Sequence, residues 1–286
     1  MLSDLRYALR TLGRSPGFAL TAIVSIGLAI GANAAIFSLA DALVLRPLPV
    51  PDPSGVVTLA SRRIGGGGRA FAVAGEIGRL SYPDYLDFRN ANRSFQSVTA
   101  YTLLPAGIAK TATTQPTFQM GFGVTADFFD TIGVAPILGR GFRADENQVP
   151  RRDAVIVLAH GFWARELFSD PAVIGRRLRL NGIDVEVIGV APESFTGMDP
   201  LIRPAFYVPL MMQPALSRST TDSQVTDRRL RFLRVKGRLK PGVTVPAASA
   251  EAAAIFASLE RTNPDSNRSV VGSCAPNCKA GLRRIH

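Results

Sequence analysis

The sequence predicts an α+β protein in which a single N-terminal transmembrane helix precedes a mixed α+β domain. Three observations carry that expectation. Residues 17–40 contain no charged side chain; at about 1.5 Å of rise per residue the run reaches roughly 36 Å, enough to cross a hydrocarbon core of about 30 Å. Asn181-Gly182 separates two stretches in which apolar residues alternate with polar ones, the pattern of a two-residue β-hairpin. Residues 246–259 are rich in alanine and carry Ile255, Phe256 and Leu259 on one stripe, as an amphipathic helix does. Strand and helix signals mix without strict alternation, which favours α+β over a wound parallel sheet.

Before the span, Leu2, Leu5, Leu9 and Leu12 recur at three- and four-residue steps, with Arg6 and Arg10 on another face. That is a short amphipathic helix of the kind that lies in a cytoplasmic membrane interface, assigned to residues 1–16. Ser15-Pro16-Gly17 breaks it, and the transmembrane helix is assigned to residues 17–45. Arg6, Arg10 and Arg14 against Asp4 hold this flank in the cytoplasm. Residues 46 onward then lie outside, in the periplasm of a cell with two membranes. The net charge is +11, of which residues 1–45 account for +1 and the outer part for +10. Long domains cross largely regardless of charge.

Ala32-Asn33-Ala34 also fits a signal-peptide cleavage site. Against cleavage, Ile36, Phe37, Leu39, Leu43, Val44 and Leu45 carry the apolar character well past any h-region of about 7–15 residues. An uncleaved single-pass anchor in the inner membrane is expected, with membrane lipid around it. Gly27 and Gly31 form a G-x-x-x-G pair with Ala35 one turn on, and Asn33 offers a hydrogen bond; these four are the helix-packing candidates.

Pro47, Pro49, Pro51 and Pro53 lead the chain out, to a strand expected at 56–60 and, after glycines 65–68, another at 71–74. Ser81 followed by Pro83 has the chemistry of a helix start, with Tyr85 and Phe88 pointing inward. Thr125 is expected to cap a helix over 126–132 that Gly133 stops. A helix fits 161–168. Strands are expected at 176–180 and 183–191, where the apolar period slips near Ile188-Gly189, and at 205–210 and 232–239.

Cys274 and Cys278 are the two cysteines. They can close a local disulfide outside the membrane but cannot frame the fold. His160 and His286 are the two histidines, so a metal site is not expected. No G-x-S-x-G, H-E-x-x-H or clustered Ser/His/Asp set occurs, and no catalytic or cofactor-binding residue is assigned. Arg69-Ala70 follow glycines 65–68 where a phosphate-binding loop needs Lys and Ser or Thr, so the chain is not expected to hydrolyse ATP by itself. The arginines are spread over many segments. Nucleic acid is not an expected partner; contact with anionic envelope components stays open beside a merely solvated surface.

Several of these segments, in order, resemble the MacB/FtsX-like ABC transporter permeases, with most likeness to the acidobacterial type. Leu2-Ser3-Asp4-Leu5-Arg6-Tyr7-Ala8-Leu9-Arg10, Ser15-Pro16-Gly17-Phe18, Ala29-Ile30-Gly31-Ala32-Asn33 and Leu45-Arg46-Pro47-Leu48-Pro49 are similar to the family's opening helix, first span and exit. In the outer domain, Leu80-Ser81-Tyr82-Pro83-Asp84-Tyr85-Leu86-Asp87 resembles its first signature. Asp127-Phe128-Phe129, Ile132-Gly133-Val134 and Leu138-Gly139-Arg140-Gly141-Phe142 resemble the second. Asp170 to Gly175, Leu180-Asn181-Gly182 and Val187 to Pro192 resemble the third, and Gly237-Arg238-Leu239-Lys240-Pro241-Gly242-Val243 the last.

The resemblance covers roughly residues 1–260. It implies a periplasmic core domain, residues 46–262, placed between the first and second membrane helices of a dimeric permease. It implies a cytoplasmic ABC ATPase subunit on a separate chain, and coupling rather than chemistry as the role of this one. The family continues into further membrane helices. Here the similarity fails after about Thr262, and residues 263–286 read as an unrelated reading frame or a disordered tail outside the family pattern, so a truncated permease that needs the remaining helices is expected. A stand-alone, membrane-anchored periplasmic interaction module is the alternative.

Overall fold

The computed structural model describes residues 16–44, 50–63, 78–111, 113–199, 202–217 and 221–276. The chain forms two compact units, Met1–Arg46 and Pro47–His286. The interface helix predicted over 1–16 lies outside the described residues but for Pro16, as do the strand predicted at 71–74, glycines 65–68 and Cys278.

Among the described residues of the first unit there is one helix, α1 (Pro16–Val44), of 29 residues. Proline at its start is favourable, because the first turn needs no N–H from that position. Side chains of α1 are described at Gly17, Leu20, Thr21, 23–35, Phe37 and Ser38, all of them exposed. Among the described residues no helix is long and apolar enough to cross a membrane. The predicted span includes positions whose side chains lie outside the described residues.

Among the described residues, the second unit is a mixed α+β domain built on one ten-stranded sheet. Its strands are β1 (Val56–Arg63), β2 (Phe95–Ala109), β3 (Thr117–Val124), β4 (Leu138–Gly139), β5 (Val155–Leu158), β6 (Arg177–Leu180), β7 (Ile183–Val190), β8 (Phe206–Pro209), β9 (Arg234–Leu239) and β10 (Val270–Pro276). The order is β10-β1-β9-β2-β3-β8-β5-β7-β4, and β6 pairs with both β2 and β7. Those last pairings close a ring of six strands, β2-β3-β8-β5-β7-β6.

Side chains from alternate positions fill the ring: Leu104, Ala106 and Ile108 of β2, Leu178 and Leu180 of β6, and Val185 and Val187 of β7 are all buried in one cluster. Strand period two puts these on one face. The helix α4 (His160–Glu166) adds Phe162 and Trp163 to that cluster. A second cluster lies on the other face around Phe128, Phe129, Phe195 and Tyr207, whose rings meet at centroid distances of 5.3 to 6.4 Å. The short helices α5 (Gln213–Leu216) and α6 (Asp222–Thr226) follow β8, and a third cluster packs α2 (Tyr82–Ala91) and α7 (Val245–Thr262) onto β1, β9 and the start of β2.

Local chemistry explains most boundaries. Ser81 Oγ accepts from Asp84 N at 3.2 Å and caps α2, and Tyr85 and Phe88 are fully buried. Thr244 caps α7 in the same way. Asn181 and Gly182 take φ of 48° and 88°, the left-handed pair that a tight hairpin between β6 and β7 requires. The slip near Ile188 is a bulge: Ile156 faces Val187, but Val157 faces Gly189.

Two expectations need correction. Thr125 does not cap the next helix, α3 (Phe128–Ile132); its hydroxyl accepts from Ala100 N at 3.0 Å and donates to Asp127 at 2.7 Å. Residues 263–276 are not a disordered tail. They form α8 (Pro264–Asn267) and β10, which pairs antiparallel with β1 from Val57↔Pro276 to Arg63↔Val270. Val270 and Phe256 are buried where β10 meets α7, and this burial is what holds the segment.

Candidate functional site

The helix-packing candidates stand on α1, where Gly27, Gly31, Asn33 and Ala35 are exposed. A side chain at Gly27 or Gly31 would meet nothing within 4 Å. At 3.6 residues per turn Gly27, Gly31 and Ala35 share a stripe, but Asn33 falls about 200° round from Gly31. Asn33 therefore cannot hydrogen-bond across the contact the small residues would make. Among the described residues Cys274 has no disulfide partner; it is half-buried against α7, and burial pushes its thiol up to about 12. Its suggested partner Cys278 lies outside the described residues. Among the described residues no cluster of His, Cys, Asp or Glu could hold a metal.

The structure instead gathers chemistry around β1, β9 and the segment that leads into them. Among the described residues the first strand begins beside the end of the last: Val57 faces Pro276. The lead-in residues before β1 are tied down by Val50, 8% exposed in the aromatic cluster, and by a turn in which Asp52 takes φ 46°. The Ser54 hydroxyl donates to the Asp52 carboxylate and holds it below its ordinary pKa.

Across the ladder from Val56 stands Arg238 of β9. Its Nε donates to Thr131 O at 2.9 Å, so segments resembling the second and last family signatures meet at one side chain. Gly133, with φ 74°, ends α3 beside that guanidinium. Only a residue without Cβ takes that conformation cheaply.

Two residues along, Lys236 is 8% exposed, and its Nζ donates to Thr58 Oγ1 at 2.8 Å. Burial, with Arg234 nearby, pushes this amine down to about 8. Arg234 itself pairs with Asp199. On the helical side, Asp84 is fully buried between Arg228 at 2.7 Å and Arg231 at 3.0 Å. Asn267 Nδ2 donates to Asp84 at 2.9 Å, which ties the segment before β10 to α2. A buried carboxylate held by two guanidiniums is strongly committed to its geometry.

An open groove between α2 and α7 is floored by Ala91, Ala254, Ile255 and Leu259 and edged by Asp87 and Glu251. Both acids are already engaged, Asp87 by Arg228 and Glu251 by the amides of Arg93 and Ser94. Nothing marks the groove as a ligand site. Sequence reading missed Asp84, Arg228, Arg231 and Lys236 as partners. The usable signal was Lys236 itself, a charge in the middle of a strand otherwise flanked by Val235 and Gly237.

The profile of the MacB-like periplasmic core domain matches residues 19–255. A stretch of 72 residues is 39% identical to the macrolide export ATP-binding/permease protein MacB of Bdellovibrio bacteriovorus, covering 25% of this chain and 11% of that protein. The chain thus aligns with only a small part of that relative's length. Among solved structures, the periplasmic region of MacB from Actinobacillus actinomycetemcomitans superposes with a TM-score of 0.54 at 14% identity, covering 80% of this chain and 91% of that one. A domain of a putative permease protein from Porphyromonas gingivalis gives 0.56 at 15% identity, over 79% and 91%. The extracellular domain of the noncanonic ABC-type transporter YknZ from Gram-positive bacteria gives 0.51 at 13%, over 77% and 99%. At such identities these three likenesses establish the fold alone. The profile match spans most of the sequence, and the chain belongs to the family of the MacB-like periplasmic core domain.

Proposed function

We propose that this chain is the N-terminal portion of a permease subunit of an ABC-type export or mechanotransmission system. Residues 17–45 span the inner membrane with the N-terminus in the cytoplasm, and the core domain works in the periplasm. An ATPase on another chain drives it from the cytoplasmic side, and the role of the core is coupling rather than catalysis. A second permease copy, or further permease helices, completes the assembly.

One observation carries this reading. The first and last strands among the described residues are antiparallel neighbours, with Val57 near the start of one opposite Pro276 at the end of the other. A domain with its two ends together can be inserted between membrane spans and moved by both without being stretched. The family match and the name of the Bdellovibrio relative, an ATP-binding/permease protein, support the same assembly.

The test uses the full chain in its own membrane. With the two native cysteines replaced, Ser54→Cys should react with a membrane-impermeant maleimide in cells with a permeabilised outer membrane, and Ser3→Cys should not. Detergent-solubilised chain should bring down a nucleotide-binding ATPase. The reverse labelling pattern would contradict the topology. Correct labelling without any ATPase would favour the stand-alone anchored module.

A further inference from the structure

We propose that Arg238 is the positioning residue through which displacement of the lead-in segment, residues 50–55, reaches the folded core. Its purpose rests on the coupling reading above; its substance is geometric. The Arg238 side chain is 16% exposed. Nε donates to Thr131 O in the last turn of α3 at 2.9 Å, and Nη2 donates to Pro51 O at 3.4 Å. Nη1 stands 3.7 Å from the Asp52 carboxylate. One planar guanidinium thus addresses β9, α3 and the lead-in together. The rigid fork of donors makes this possible, and a lysine ammonium, a single point of charge, cannot reproduce it.

The surroundings are cut to fit. A Cβ on Gly133 would lie 3.1 Å from Arg238 Nη2, and one on Gly55 would lie 3.4 Å from Nη1. The first is tighter than ordinary van der Waals contact and the second is ordinary contact, so the guanidinium packs directly against both glycines. On its own side, the lead-in is held by the buried Val50 and by the left-handed turn at Asp52. The backbone of Val56 closes that turn by donating to Pro53 O. Arg238 sits directly across from Val56 in the ladder. A shift of the lead-in therefore acts on β9 and α3 at once through this side chain, beside the packing of Val50 and the β1–β9 ladder, in the 237–243 segment that had a family likeness but no role.

Hydrogen exchange read by mass spectrometry on the full chain in lipid nanodiscs tests this, because it reports opening segment by segment. In Arg238→Gln, amides of 50–56 should exchange about tenfold faster or more, with those of α7 unchanged. Arg238→Lys should fall between, since it keeps the charge but loses the fork. Phe256→Leu, a core change remote from the lead-in, serves as the control for general loss of stability. Unchanged protection of 50–56 in Arg238→Gln would overturn the proposal. So would a uniform rise that includes α7 and matches Phe256→Leu. The measurement needs no ATPase, so its result stands even if the coupling reading fails, and the reverse also holds.

Discussion

Val57 and Pro276 face each other at one end of the β1–β10 ladder, and Arg63 faces Val270 at the other. The segment after α7 is thus an integral strand, and its removal should be felt. A Cβ on Gly272 would lie 2.3 Å from the Phe256 ring. Gly272→Val should therefore cost about 2–3 kcal/mol through overpacking, measured by urea unfolding of the chain in detergent. A disordered tail would tolerate the change with no shift in midpoint.

Lys236 predicts an unusual pH dependence. Its amine sits at about 8 in the folded chain, against 10.5 for an ordinary lysine. Below pH 8 both states hold the proton, and the folded state bears the whole penalty, roughly 3 kcal/mol at about 1.4 kcal/mol per unit. As pH rises through 8 the folded state sheds its proton first, so stability should climb from about pH 8 until the unfolded chain titrates near 10.5. Lys236→Met should be more stable than the parent at pH 7 and should flatten the climb. Denaturant midpoints at four pH values in that window decide it; parallel curves would refute the assignment.

Asp84 should be among the most sensitive polar positions. Asp84→Asn leaves Arg228 and Arg231 without their shared carboxylate and should cost about 3–5 kcal/mol, as breaking a buried ion pair does. In a double-mutant cycle with Arg231→Met the two losses should fall well short of adding. Strict additivity would show that the pair is not coupled.

The hairpin between β6 and β7 separates two roles that its dipeptide signal merges. Gly182 has φ 88° with open space around it, so Gly182→Ala should cost about 1 kcal/mol from backbone conformation alone. Asn181 also accepts from Gly107 N at 2.7 Å and donates to Leu216 O at 2.6 Å. Asn181→Ala should therefore cost more, about 2–3 kcal/mol. Equal thermal shifts in calorimetry would mean the side-chain bonds contribute nothing.

What the sequence made legible follows from how local each signal is. The Ser81 cap, the Asn181-Gly182 turn and the slip at Ile188 depend on neighbours within a few residues, and each stands where expected. The longest strand, β2, was not anticipated, nor was its partner β3. Pro105 and Gly107 in one and Gly121 and Gly123 in the other depress strand propensity, and it is closure of the six-strand ring that overrides it. Arg238 was legible as part of a motif, but not as a clamp. Its partners at Pro51 and Thr131 lie more than a hundred residues away, and no local pattern announces such a meeting.

If an ATPase moves the core through its paired ends, both ends must respond to nucleotide. The direct measurement is hydrogen exchange of 50–56 and of β10 in membranes holding the chain with its co-purified ATPase, with and without ATP and vanadate. Trapping the nucleotide should change exchange in both segments together, because Val57 and Pro276 are neighbours. Identical exchange in the two nucleotide states, with ATPase bound and turning over, would contradict the coupling role.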